Sequence, residues 1–177
     1  MQKTTLHWLT RVTNSICLVI MIFIPLGLAL MWVNLDMFSP SIMAQLGLEA
    51  PSDGFPPMTR ALAWLCTMLP GGLMMWGLSQ LRLMLSEVSA GHYFSLPAVS
   101  HFRRFSWAML LYACALPVQS TLLSLVLTMH NPPGQKMLVI RLGTTELNAL
   151  LIAVLFVIIA HIFEEGRKLA DENAGFL

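Results

Sequence analysis

The run Val12–Leu35, VTNSICLVIMIFIPLGLALMWVNL, contains no Asp, Glu, Lys or Arg. A helix rises about 1.5 Å per residue, so roughly 20 residues cross the ~30 Å hydrocarbon core of a bilayer. Three further charge-free runs follow: Ala61–Leu81 (ALAWLCTMLPGGLMMWGLSQL), Phe105–Met129 (FSWAMLLYACALPVQSTLLSLVLTM) and Leu147–Phe163 (LNALLIAVLFVIIAHIF). Each is long enough to cross, or nearly so. A water-soluble domain does not leave such lengths without a charge. The runs predict an all-α integral membrane four-helix bundle with short extramembrane loops. It is one domain over residues 1–177, with spans at about 12–35, 61–81, 105–129 and 147–163.

Composition agrees with this reading. Hydrophobic residues make up 56% of the chain, charged residues 11%, and mean hydropathy is +0.72. Soluble domains run near a quarter charged. Spans and connections use most of the 177 residues, which leaves no room for a separate soluble domain. A net charge of +1 supplies no basic surface for a phosphate backbone, so nucleic acid is not an expected partner. Cys17, Cys66 and Cys114 each sit inside an apolar run, outside any CxxC or Cys/His spacing, and read as small hydrophobes. The apolar run after Lys3 and Arg11 exceeds the h-region of a signal peptide and lacks a clear A-x-A site, which predicts a retained helix.

Basic residues set the orientation. Lys3, Arg11, Arg82, Arg103, Arg104, Arg167 and Lys168 fall in the two tails and the middle loop; Arg60, Lys136 and Arg141 fall in the other two loops. The positive-inside bias then places both termini and the middle loop of a multi-pass membrane protein in the cytoplasm.

The first outer loop is acidic and turn-rich, with Pro51-Ser52-Asp53-Gly54 and Pro56-Pro57. Ser39-Pro40 reads there as an N-cap and first helical residue, opening a short surface helix with Ile42, Met43, Leu46 and Leu48 as its apolar stripe. The second outer loop opens with the turn signal Asn131-Pro132-Pro133-Gly134. Met137–Leu142 then reads either as an extended run or as an early start of the fourth helix. In the middle loop, Gly91 ends a continuation of the second helix. Ser95 caps the third, with Pro97 in its first turn. Trp8, Trp32, Tyr93 and Trp107 lie near span ends, as aromatic belts do. The fourth helix runs on into a charged tail, where Glu164 with Lys168 and Arg167 with Asp171 are spaced to pair at i,i+4. Arg82–Phe94 and Arg167–Phe176 share a leucine, an acid and Ala-Gly before an aromatic. The match is short, and chance accounts for it better than duplication does.

The segments Leu81-Arg82, Gly91-His92-Tyr93-Phe94-Ser95 and Phe102-Arg103-Arg104-Phe105-Ser106-Trp107 carry a family resemblance. They resemble the middle-loop signature of a widespread bacterial membrane family, catalogued as domain of unknown function 2975. That signature is a leucine–arginine pair, then G-x-x-F-S, then an arginine-containing start to the third helix. The tail Ile162–Asn173 (IFEEGRKLADEN) looks like the family's closing motif, F-x-E-G-x-x-L followed by acids. Asn173 and Ala174–Leu177 stand where members close with a glutamine and a short apolar end. The resemblance implies a four-helix integral membrane protein, sometimes encoded beside a small helix-turn-helix regulator, and no established activity.

Candidate positions fall in two places. Within the membrane, Pro25, Pro70 and Pro117 lie near mid-depth of three spans, where a proline removes a backbone hydrogen bond and tends to kink the helix. Broken helices at that depth build transporter sites, but those sites also hold charges, and no acid or base lies mid-membrane here. Gln119, with Ser120, Thr121, Ser124 and Thr128, supplies most intramembrane polarity. It reads as an interhelical hydrogen-bonding group in preference to a pore or ligand contact. On the cytoplasmic side, Arg82, Arg103, Arg104, Glu164, Glu165, Arg167 and Lys168 form a candidate interaction face. His7, His92, His101 and His161 map to that side too, without metal-ligand spacing.

No nucleophile with a base, no paired acids at membrane depth and no phosphate-cradling loop is present, so no catalytic residue, cofactor or metal is expected. The expected function is a non-enzymatic membrane module that senses or regulates by contacting a partner through its cytoplasmic face. Its expected partners are the lipid bilayer and either a cytoplasmic protein or further copies of the chain. The alternative is a subunit of a small transporter or channel with proline-kinked helices.

Overall fold

In hydrocarbon every backbone N–H and C=O must be satisfied within the chain, so a charge-free run has little choice but to be a helix. The computed structural model describes residues 2–46, 54–92, 94–131 and 136–174. Among them the chain forms α1 (Gln2–Val33), α2 (Leu35–Leu46), α3 (Pro57–Ser89), α4 (Leu96–Thr128) and α5 (Thr144–Ala174). Helices α1, α3, α4 and α5 hold the four charge-free runs except for Asn34, Leu35 and Met129, and each is long and apolar enough to cross a membrane. The protein is a multi-pass, all-α membrane protein. At about 1.5 Å per residue these helices reach close to 50 Å, so their ends project beyond a ~30 Å core. Leu48, residues 51–53, Tyr93, residues 132–134 and the tail from Gly175 lie outside the described residues, as do the side chains of Lys3 and His7.

The principal helix contacts run in the order α1–α3–α4–α5. Helices α3 and α4 form the inside of this row, and α1 and α5 flank it. Only 11% of the apolar core of each flanking helix is buried, against 33% in α3 and 28% in α4. The row exists because small residues let helices approach closely where no hydrophobic drive separates helix from lipid. Thr59, Ala63, Thr67 and Gly71 recur every fourth residue along α3, and all are buried. On α4 the buried set includes Ala98, Ser106, Ala108, Ala113 and Ala115. Ala153 and Ala160 are the buried small residues of α5.

Two clusters fill the row. At the α2 end, Trp32, Leu35, Met43, Leu46, Phe55 and Ala63 pack with Leu123 and Leu127. At the opposite end, Phe102 and Phe105 of α4 meet Phe156 and Phe163 of α5, mostly edge-on or tilted, as ring quadrupoles prefer. Trp32 belongs to the first cluster and is 2% exposed, so it is a core residue and not part of a lipid-facing belt. Its indole N–H donates to Thr67 Oγ1 at 3.0 Å, which satisfies the polar edge inside the protein. Trp8 and Trp107 are exposed, as belt residues are.

Helix α2 starts four residues before the expected Ser39 cap, and Pro40 lies inside it. The chain turns at Asn34, whose carbonyl accepts from the Met37 N–H at 3.0 Å, and Leu35 is already fully buried. Burial of Leu35, Met43 and Leu46 therefore fixes where this helix sits. It closes over the end of the bundle instead of floating on the surface.

The 3-to-4 connection follows the expected signals. Gly91 adopts φ +88°, His92 N–H donates to Glu87 O and Gly91 N–H to Val88 O, which is the double bond of a Schellman cap. Ser95 Oγ accepts the Ala98 N–H at 3.2 Å and caps α4. Residues 136–143 form neither helix nor strand, and α5 begins at Thr144. Val139 N–H donates to Ser124 Oγ at 3.0 Å, and Met137 N–H to Thr128 Oγ1 at 3.3 Å. Two buried hydroxyls thus hold this segment against α4, and the early start of the fourth helix does not occur.

Candidate functional site

The end of the molecule carrying Arg82, Arg103 and Glu164 is joined by one tier of polar contacts. Arg82 Nε donates to Asn14 Oδ1 at 2.8 Å and ties α3 to α1. His101 Nδ1 lies 3.0 Å from Gln80 Oε1 and ties α4 to α3. Arg103 Nη1 donates to Glu164 Oε1 at 2.9 Å and ties α4 to α5. Every neighbouring pair in the row is stapled at the same level. Asn14 and Gln80 were not singled out in the sequence, and His101 was read there only among histidines without metal-ligand spacing. The available signal was an amide at the inner edge of a charge-free run, because a polar group there needs a partner from the next helix.

Glu164 therefore pairs across to α4 and not along its own helix with Lys168, as the i,i+4 spacing suggested. Lys168 Nζ turns instead to Glu165, at 2.7 Å and i,i+3. Arg167 does pair with Asp171 at 2.7 Å. These pairs lie on the part of α5 beyond the charge-free run, so the helix continues as a charged rod. Arg104 is exposed and has no partner among the described residues.

The Arg103–Glu164 staple is half open to solvent, with side chains 51% and 31% exposed. A double-mutant cycle with Arg103→Ala and Glu164→Ala should give a coupling of about 1 kcal/mol or less, read as unfolding free energy in detergent, and smaller still in high salt. A larger coupling would mean that the pair is shielded in the lipid-embedded protein.

The histidines whose side chains are described do not converge into a metal-binding group. His92 Nδ1 is 3.6 Å from Glu87, His101 bonds Gln80, and His130 Nδ1 lies 3.3 Å from Thr59 Oγ1 at the other end. No group of three metal-ligating side chains forms among the described residues.

Within the membrane, α1, α3 and α4 continue as helices through Pro25, Pro70 and Pro117. The α4 hydroxyls are mostly spent on their own helix. Ser120 and Thr121 donate to Pro117 O at 2.8 and 2.9 Å, Ser124 to Thr121 O, and Thr128 to Ser124 O. Buried Ser106 donates toward Phe102 O and across to Phe156 O of α5, at 2.9 and 3.1 Å. Gln119 does not fill the interhelical role read from its type. It is half-buried, has no hydrogen-bond partner among the described residues, and lines a cavity of about 390 Å³ that opens at the α2 end. Arg60 serves structure there: its guanidinium donates to Val33 O at 2.8 Å, where the last carbonyls of α1 lack helical partners.

No curated protein and no solved structure matches the chain. A family model described as protein of unknown function (DUF2975) matches residues 50–175. That segment holds α3, α4 and α5 entire, and with them Arg82, Arg103 and Glu164 of the polar tier. The resemblance carried by the middle loop and the closing helix thus extends over most of the chain, which belongs to the DUF2975 family.

Proposed function

We propose that this protein is a non-enzymatic membrane module that works by contact, docking a cytoplasmic protein on the end that bears the polar tier. The observation that carries this reading is the form of that end. Three staples hold the four helices in register there, and α5 continues past its charge-free run as a rod carrying Glu165, Arg167, Lys168 and Asp171. A surface already ordered loses little side-chain freedom when a partner binds. Arg104, exposed beside it, offers a guanidinium to an acidic group. The positive-inside bias supports placing this end in the cytoplasm.

A transporter subunit is the weaker reading. Most of the α4 hydroxyls already donate to their own helix, and Phe102, Phe105, Phe156 and Phe163 pack α4 against α5. Anionic lipid headgroups compete for Arg104 in the same way a protein acid does.

Site-specific photocrosslinking in cells separates these possibilities. A photoreactive residue at Arg104 or Lys168 should give a discrete protein adduct, absent when the probe sits at lipid-facing Leu151. Arg104→Glu together with Lys168→Glu should remove the adduct made from a third tail position without changing membrane insertion. Adducts to lipid alone would overturn the docking proposal, and adducts at twice the chain mass would assign the face to self-association.

A further inference from the structure

The cavity at the α2 end is a funnel. Arg141 and Glu146 line it towards the α2 end, its walls include Trp32, Ile42 and Leu123, and Gln119 lines its inner part about one turn from Leu116. Gln119 lies ten residues below the end of the charge-free run at Met129, about 15 Å along the helix. The funnel therefore reaches from headgroup level toward the middle of the bilayer. On α4 its lining ends at Leu116. The buried Ala113 and Ala115 and the phenylalanine cluster follow, so the funnel stops short of the other side.

The polar groups around it are not equivalent. Ser120 donates to Pro117 O, and Thr67 donates to Trp64 O while accepting from Trp32. Glu146 Oε2 accepts the Gly143 N–H at 2.8 Å as the cap of α5. Gln119 alone among these brings a primary amide, two donors and an acceptor, with no hydrogen bond among the described residues. An amide left unpaired near mid-membrane is penalised unless something entering the funnel bonds it. A mostly apolar cavity of a few hundred Å³ with one directed polar group is the usual form of a small-molecule site.

We infer that the funnel binds a small uncharged amphiphile whose amide or hydroxyl head pairs with Gln119 and whose apolar body lies against Trp32, Ile42 and Leu123. Charge is selected against, because among the described residues that line the funnel the charged ones are Arg141 and Glu146, which are of opposite sign. Size follows from volume: about 390 Å³ holds roughly a dozen water-sized groups. This site stands whether or not the opposite end docks a protein.

Decanamide has the required size and head, and decanoate and decane share its chain. With the full chain in lipid nanodiscs, a diazirine-bearing fatty amide should label α4 near Leu116–Leu123 saturably. Decanamide should displace it at concentrations at least tenfold below those needed for decanoate, and decane should not displace it. Gln119→Leu should weaken decanamide competition at least tenfold, while Leu116→Trp, which fills the funnel and keeps the amide, should abolish the labelling. Helix content and thermal midpoint would report whether each variant folds. Labelling that fails to saturate, that spreads over the lipid-facing side of α5, or that is equal in wild-type and Leu116→Trp would overturn the proposal. So would equal competition by all three ligands.

Discussion

Replacing Trp32 with alanine is expected to lower the unfolding free energy by about 3 kcal/mol in a denaturing-detergent titration. Its ring is 2% exposed and stands among Leu35, Met43, Leu46, Phe55 and Ala63, where α1, α2 and α3 meet. Aromatic-to-alanine changes in cores cost about 3–5 kcal/mol, and the lower end applies here. Helices separated in a bilayer still rest in hydrocarbon, so the loss comes from the cavity and missing dispersion contacts more than from transfer to water. Thr67→Val keeps the side-chain shape, removes the hydroxyl that accepts the Trp32 N–H, and is expected to cost about 1–3 kcal/mol because the buried indole donor is left unpaired. Trp8→Ala, at a position 64% exposed, should stay within about 0.5 kcal/mol. Equal effects at Trp8 and Trp32 would contradict the division between belt and core.

Gly77→Leu is the second large effect, a loss of about 1–3 kcal/mol from overpacking. A Cβ at Gly77 would lie 3.2 Å from Ala108 Cβ and 2.6 Å from Met109 Cε. The methionine methyl can swing away, but Ala108 Cβ is fixed to the α4 backbone, so α3 and α4 must part. Gly77→Ala should cost less than leucine, since a few tenths of an ångström relieve it. At Gly72 nothing lies within 4 Å of the added carbon, and Gly72→Leu should change stability by no more than about 0.5 kcal/mol. Thermal midpoints of the three variants check this order. Similar midpoints for Gly72→Leu and Gly77→Leu would contradict the close approach of α3 and α4 at Gly77.

These two residues also mark where sequence reading stops. Trp32 near the end of a charge-free run is indistinguishable by type from Trp8, yet one is core and the other faces lipid. Gly71, Gly72 and Gly77 look alike in the chain. A Cβ at Gly77 would press against α4, one at Gly71 would lie 3.3 Å from Ile24 Cγ2 of α1, and one at Gly72 would meet nothing within 4 Å. The stripe of small residues from Thr59 to Gly71 was legible at its spacing of four, and it was overlooked in favour of the prolines. Among the charged candidates, Arg82, Arg103 and Glu164 turned out to be staples between helices, whereas Arg104 and the end of α5 remain on the surface. Gln119 was expected to bond between helices and faces a cavity instead.

By itself the sequence determined the four spans, the cap at Gly91, the start at Ser95 and membership of the fold class. Those features are local. A charge-free run must satisfy its own backbone in hydrocarbon, and a glycine or serine at a helix end acts within a few residues. Which helices neighbour one another, which tryptophan is buried, where Glu164 finds its partner and where a funnel opens were decided only in three dimensions. In a bilayer the exposed and buried faces of a helix are almost equally apolar, so hydropathy carries no signal for them. They are set by packing between residues far apart in the chain.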